Sequence, residues 1–293
     1  MIDFLHTFEP TPVLIAIGSI KIYWYGFFIV LGVIAAIFTT MQLAPFYGIK
    51  KDDVIDLAFY LIIFGILGAR LYDVLLEISY YKNFPLDIFK IWQGGLAIHG
   101  GIIAGLITIY FYAKKHPLDK GRFEAFLLYG AIIAPGLALA QAIGRWGNYF
   151  NSELFGYPTN LPWGIPINIL RRPNEFYAAQ YFHPTFLYES IGNFVIFLIL
   201  VSLHYWIIKN KNKETKVNRY ALCVTSYAIL YSLLRFFLEF IRIDKTPTFF
   251  GLRWPQIASL AIIIISSSYL LKYFKKPVNV NNSSHTNTNE LIN

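Results

Sequence analysis

Cysteine, methionine and charge are all scarce in this chain. Its one cysteine, Cys223, lies inside an apolar run, which excludes a disulfide or a thiolate metal site within one chain and leaves a small packing residue. Only 14% of the 293 residues are Asp, Glu, Lys or Arg, against about 25% in an ordinary soluble domain. With 56% apolar residues and a mean hydropathy of +0.49, polar groups cannot cover a globule, so a bilayer is the expected solvent. The net charge of +8 does not point to nucleic acid, because the basic residues sit in short loops and form no stripe. The first twenty residues carry Asp3 and Glu9 but no Lys or Arg, unlike a cleavable secretory signal. HExxH, P-loop and dinucleotide fingerprints are absent, so neither a metal nor a cofactor is expected. No internal repeat marks an inverted-repeat transporter.

What is abundant is apolar sequence in runs of about 20 residues, the length that crosses a bilayer as a helix. Seven such runs predict an all-α polytopic membrane protein with about seven transmembrane helices, near Ile20–Gln42, Val54–Glu77, Leu96–Ala113, Glu124–Ile143, Phe186–Ile208, Tyr220–Glu239 and Pro255–Tyr273. The glycine-rich start of the third run is also compatible with a re-entrant loop. Alternate connections hold fourteen Lys and Arg residues on one side, including Lys50, Lys114, Lys120, Lys211 and Lys275, and eight on the other. That bias places the N-terminus outside and the C-terminus in the cytoplasm. The longest connection, 144–185, is rich in Pro, Asn and aromatics and reads as a small extracytoplasmic head on a single membrane domain, 1–276. Residues 277–293 are rich in Asn, Ser and Thr and read as a disordered cytoplasmic tail.

The few polar groups near these runs are the candidates for chemistry. Gly144-Arg145-Trp146-Gly147-Asn148-Tyr149-Phe150-Asn151-Ser152-Glu153 sets an arginine, two carboxamides and a carboxylate where hydrocarbon meets headgroup. Groups so costly to desolvate imply a bound partner, and an anionic lipid headgroup fits. Tyr231, Arg235, Glu239 and Arg242, spaced four, four and three apart, share one helix face. They form either a structural ion pair or a phosphate site in which Arg235 binds and Glu239 orients, Arg being suited by its permanently charged planar fork. Arg70 and Asp73 form an i,i+3 pair that either neutralises itself or serves a substrate. His99, among Gly94, Gly95, Gly100 and Gly101, is either a hydrogen-bonded structural residue or a base for a thiol. Gly101 and Gly105 also offer a close-packing face. His183 is a weaker candidate that caps or anchors the fifth run, with Glu189 paired inside. Tyr25, after Trp24, is either an interfacial anchor or a hydroxyl that reaches a headgroup.

Together these residues resemble one family, the bacterial prolipoprotein diacylglyceryl transferases. Gly144-Arg145-x-Gly147-Asn148-x-x-Asn151-x-Glu153 followed by Gly156 is similar to its signature, with Tyr149 where Phe is usual. In order along 20–270 come Tyr25-Gly26, Gly68-x-Arg70, Gly94-Gly95 with His99-Gly100-Gly101, His183-Pro184 with Tyr188-Glu189, and Arg235-x-x-x-Glu239-x-x-Arg242. Asp73 belongs to none of these motifs. The resemblance implies an inner-membrane enzyme that moves the diacylglyceryl group of phosphatidylglycerol onto the lipobox cysteine of a prolipoprotein signal peptide. Glycerol phosphate would be released, without cofactor or nucleic acid. It implies His99, Arg145, Arg235 and Glu239 as catalytic, and Tyr25, Arg70, Asn148, Asn151, Glu153, Tyr231 and Arg242 as substrate-binding. A transporter would use the same charges as a solute path, and an intramembrane protease would need a Ser/His pair, paired aspartates or a metal motif.

Overall fold

A computed structural model describes residues 2–117, 121–210 and 218–274. The tail expected over 277–293, and Lys120, Lys211, Lys213, Lys216, Lys275 and Lys276 of the charge count, lie outside the described residues.

The chain opens with a short helix, α1 (Ile2–Thr7), and a hairpin of β1 (Val13–Ile17) and β2 (Ile20–Tyr23). Ile17 pairs with Ile20 around Gly18, whose φ of +60° suits a tight two-residue turn. The start of the first span at Ile20 is therefore corrected to Trp24: Ile20 and Ile22, both β-branched, lie in a segment that pairs as strand, and the Trp24 amide donates to the Pro12 carbonyl at 3.0 Å. The long helices that follow are α2 (Trp24–Leu43), α3 (Lys51–Leu76), α5 (Ile98–Lys115) and α6 (Arg122–Phe150), with the short α4 (Ile78–Asn83) between α3 and α5. The head adds β3 (Ile165–Pro166) and β4 (Tyr181–Phe182). Then come α7 (Thr185–Lys209), α8 (Arg219–Leu238), the hairpin of β5 (Thr248–Phe249) and β6 (Leu252–Arg253), and α9 (Trp254–Phe274).

The protein is thus an all-helical polytopic membrane protein, with six helices long and apolar enough to cross a membrane. The seventh long helix, α5, has only 18 residues: it starts after the 3₁₀ turns at 85–93 and ends in Lys114-Lys115. It lies along α3, where Gly68 and Gly100 let the backbones meet; a Cβ on Gly100 would come within 2.2 Å of the Gly68 carbonyl oxygen.

α6 is the central helix. Its most apolar window is 56% buried, against 17% for α2 and α9, and it packs on α2, α5, α7 and α8. Pro135 in its middle has no N–H, so the Ala131 carbonyl one turn back loses its helical donor. His204 of α7, fully buried, donates Nε2–H to that carbonyl at 3.0 Å. Its Nδ1 accepts from the Tyr47 hydroxyl at 2.6 Å. The α3–α5 pair joins α6 through Val54, Leu57, Ile109 and Tyr112 against Leu128, Tyr129 and Ile132, near the Arg122 end.

The head is smaller than the run 144–185, because α6 continues through Gly144–Phe150; those seven residues are helix, not loop. Leu5 of α1, Tyr149, Phe155, Ile165, Phe182 and Phe186 form a head core over the ends of α6 and α7.

Candidate active site

The far end of α6 is where the polar residues gather. Gly147 there lets α2 approach: a Cβ would lie 2.9 Å from Tyr25 Cδ2 and 3.1 Å from its Cα. After Phe150 the chain reverses through Ser152 and Leu154, at φ +50° and +55°. Left-handed backbone costs a side-chain-bearing residue about 1–2 kcal/mol. Here the strain serves to fold Glu153 back under the helix, its amide donating to the Asn148 carbonyl at 3.1 Å. Asn148, buried, then donates Nδ2–H to Glu153 Oε1 at 2.8 Å and accepts from Arg145 Nη1 at 3.3 Å. Asn151 reaches the same Glu153 oxygen at 3.4 Å. Tyr25, half-exposed at the start of α2, is close enough to feel the charges of both Glu153 and Arg145.

Glu189, one turn into α7, holds the centre. Its Oε2 lies 2.6 Å from Arg145 Nε; its Oε1 lies 3.3 Å from Arg235 Nη1 and 3.0 Å from Arg242 Nη1. Three guanidiniums from α6, α8 and the segment beyond α8 thus share one buried carboxylate. Arg235 also meets Glu239 at 2.9 Å, the i,i+4 contact expected from spacing. Glu239, 1% exposed, is held from its other side by Arg253 Nε at 3.1 Å. Arg253 further donates to the carbonyls of Glu239 and Arg242, at 3.1 and 2.6 Å, and to that of Asp244. Arg242 is closed off: its side chain is 6% exposed, and Asp244 takes its Nε at 2.6 Å. Arg145 and Arg235 are the open ones, at 22% and 21%. Among the described residues, Nη2 of Arg145 and Nε of Arg235 have no partner. The carboxylates therefore sit behind and fix the forks, and the free edges remain available to an anion.

The other candidates lie apart from this network. Arg70, 7% exposed, spends its donors on backbone: Nε on the Ile88 carbonyl at 2.9 Å, Nη1 on those of Gly94 and Gly95 at 2.8 Å, and Nη2 on that of Asp87. It is 3.7 Å from Asp73, which accepts from the Tyr81 hydroxyl at 2.9 Å. Arg70 thus shapes the connection that delivers His99. His99 is exposed in the first turn of α5, with its ring 6.0 Å from Tyr72 and, among the described residues, no hydrogen bond. Tyr231, half-buried one turn before Arg235, stacks on Tyr227 at 6.0 Å. His183 Nδ1 accepts from the Tyr188 hydroxyl at 3.1 Å, and Tyr188 in turn accepts from Trp163 at 2.8 Å. Burial lowers the pKa of the His183 imidazole, whose bond to Tyr188 anchors the head.

Sequence reasoning underrated Glu189 and Arg253. A lone carboxylate one turn inside an apolar run requires counter-charges, and that was the available signal for Glu189. Arg253 stands among aromatics in the sequence, and only the fold, through β6, brings it to Glu239.

A family model described as prolipoprotein diacylglyceryl transferase matches residues 12–272. The chain belongs to the prolipoprotein diacylglyceryl transferase family. It is 40% identical over 260 residues to the phosphatidylglycerol–prolipoprotein diacylglyceryl transferase of Synechocystis sp., covering 89% of this chain and 88% of that one. The enzyme of the same name from Finegoldia magna is 41% identical over 262 residues, covering 89% and 95%. That from Fervidobacterium nodosum is 39% identical over 253 residues, covering 86% and 82%. The matched stretch contains all the residues of the arginine–carboxylate network.

Proposed function

We propose that this protein transfers the diacylglyceryl group of phosphatidylglycerol to a cysteine thiol in the lipobox of a prolipoprotein signal peptide. The observation that supports the site assignment is the shared Glu189 carboxylate, which brings Arg145 and Arg235 together while Nη2 of the first and Nε of the second have no partner among the described residues. In this reaction the cysteine sulfur attacks the glycerol carbon that bears the phosphate, an S–C bond forms and the C–O bond breaks. Glycerol phosphate departs with the electron pair, and the thiol proton passes to a base. An ordinary thiol, with pKa near 8.5, is mostly protonated at neutral pH, so an acceptor such as His99 raises the nucleophile's concentration. The negative charge that gathers on the departing phosphate is met by the two guanidiniums, fixed before the reaction and needing no reorganisation. Asn148, Asn151 and Glu153 hold Arg145 and bind headgroup hydroxyls; Tyr25 adds a phenol to the same rim; Tyr231 lines the α8 side. Arg242 and Arg70 act as builders, one under Glu189 and the other behind His99. No cofactor enters these steps.

The protein belongs in the bacterial inner membrane as a single membrane domain, with the head and the arginine network outside and the Lys114-Lys115 end in the cytoplasm. Of the eight outward cations, Arg145, Arg242 and Arg253 serve the network and Arg172 donates to the Ile167 carbonyl at 2.8 Å. Discounting them leaves the positive bias of the cytoplasmic side steeper.

The test is direct. Purified protein is incubated with phosphatidylglycerol and a lipobox peptide, and mass spectrometry follows the peptide. A mass gain of one diacylglyceryl group on cysteine, with equimolar glycerol phosphate, is the expected result. Absence of both products with a protein shown to be folded would refute the reading.

A further inference from the structure

A second lipid-sized feature lies on the opposite side of the α3–α5 pair from α6. Between the two helices runs a groove of about 540 Å³. Its floor is Gly68 and Ala104, where the backbones approach most closely, and its walls include Phe64, Leu67, Ile107 and Phe111. Ile107 and Phe111 are each two residues from Ile109, about 200° round the helix. Ile109 is buried against α6, so the groove faces the membrane. Its lining spans Tyr60–Leu71 on α3 and Ala104–Lys115 on α5. Eleven residues at 1.5 Å each give about 17 Å, roughly one leaflet of a hydrocarbon core about 30 Å thick. One end is apolar. The other carries Lys115, with Lys114 beside it and Tyr112 and Tyr60 at the same level. Lys115 is exposed and, among the described residues, has no carboxylate within ion-pair distance; Asp56, one turn before Tyr60, does not take it.

We infer that this groove is a binding site for an anionic phospholipid of the leaflet at the Lys115 end, with one acyl chain against Gly68 and Ala104 and the phosphate on the Lys115 ammonium. In a membrane-spanning protein a face turned away from the other helices meets lipid. The length matches an acyl chain of one leaflet, and the exposed Lys115 and Lys114 at one mouth, neither in an ion pair among the described residues, favour an anionic head over a bare hydrocarbon or a zwitterion. Lys115 ends α5 and is joined by the short connection 116–121 to the start of α6, whereas Arg145 lies at the other end of α6. The site is therefore separate from the arginine network and does not depend on the reaction assigned there.

Photo-crosslinking with phosphatidic acid bearing a mid-chain diazirine tests this, on the full chain in phosphatidylcholine nanodiscs. Phosphatidic acid is used so that the proposed phosphatidylglycerol donor does not compete. Label is expected on peptides covering 60–71 and 104–115. Unlabelled phosphatidic acid should displace it about fivefold better than phosphatidylcholine, the ratio equivalent to roughly 1 kcal/mol per lysine near an anionic surface. Lys115→Glu should abolish that preference, and Arg145→Ala should leave it intact. Label spread evenly over all lipid-facing helices overturns the proposal, as does unchanged preference in Lys115→Glu. Label on α6 and α8 that disappears in Arg145→Ala would place the lipid in the arginine site instead. The mapping on unmodified protein stands whether or not a variant folds.

Discussion

At the residue scale the question is what each charge does that a neighbour could not. Arg145 and Arg235 each keep one nitrogen without a partner among the described residues, so removing either takes a phosphate donor without stranding a buried carboxylate: Glu189 keeps Arg242, and Glu239 keeps Arg253. Arg145→Ala and Arg235→Ala should each lower kcat by about 10²–10³-fold, the usual loss on deleting an anion-stabilising donor, with the protein still inserted. Lysine at either position should restore only part, since a point charge cannot replace a fork bound on two sides. Near-normal turnover in the alanine variants, measured by peptide lipidation, would remove both residues from the reaction. Glu189→Gln poses a different demand. It keeps the shape but removes the shared charge and turns one of the two oxygens that Arg145, Arg235 and Arg242 contact at 2.6–3.3 Å into an amide NH2 that cannot accept. Breaking a buried ion pair on one side costs about 3–5 kcal/mol. A lowered thermal midpoint and a kcat loss exceeding any change in KM are expected; wild-type values for both would show that Glu189 does not hold the forks. His99→Gln retains a polar group but removes the imidazole that could accept a proton. If His99 takes the thiol proton, the variant loses about 10²–10⁴-fold and the acid limb of its pH–rate profile disappears. An unchanged profile would leave His99 only an orienting role.

At the scale of elements, the join between Pro135 and His204 fixes how α6 passes through the bundle. Pro135 frees the Ala131 carbonyl, His204 supplies the missing donor, and Tyr47 satisfies the remaining ring nitrogen. Since a carbonyl can only accept, Nε2 carries the proton and Nδ1 is the acceptor. His204→Leu would leave a buried carbonyl and a hydroxyl stranded, at about 1–3 kcal/mol for each unsatisfied group. Pro135→Ala would return an N–H to Ala131, so His204→Leu should cost less in that background than alone. Thermal unfolding of both single variants and the double variant gives the coupling, and strictly additive losses would sever the proposed link. The helices themselves were legible, because runs of about 20 apolar residues have few other stable forms in a bilayer. Their ends were not. Ile20 and Ile22 run on into the apolar helix in sequence, and only pairing with Val13–Ile17 makes Ile20–Tyr23 strand. Gly144 and Gly147 resemble loop residues, yet they lie within α6 because α2 packs against that face.

At the scale of the whole molecule, the network is assembled from parts distant in sequence: Arg145 on α6, Glu189 on α7, Arg235 and Glu239 on α8, and Arg253 at the foot of α9. The i,i+4 contact of Arg235 with Glu239 was legible from spacing, whereas the meeting of three arginines on Glu189 depends on helix packing that periodicity does not encode. Arg145, Arg235 and Glu239 lie at the C-terminal ends of their helices and Glu189 and Arg253 at the N-terminal ends of theirs; with alternate helices running in opposite directions, the network and the head share one face of the bundle. That geometry ties the site to a side of the membrane and makes orientation testable. Cys223 is 1% exposed, so a Cys223→Ser background gives a silent chain for single new thiols. Leu170→Cys, at a head position 88% exposed, should react with a membrane-impermeant maleimide in intact cells. Lys114→Cys, at the opposite end of the bundle, should react only after the inner membrane is opened. The reverse pattern would put the arginines in the cytoplasm, against a positive-charge bias that the network's own cations only weaken.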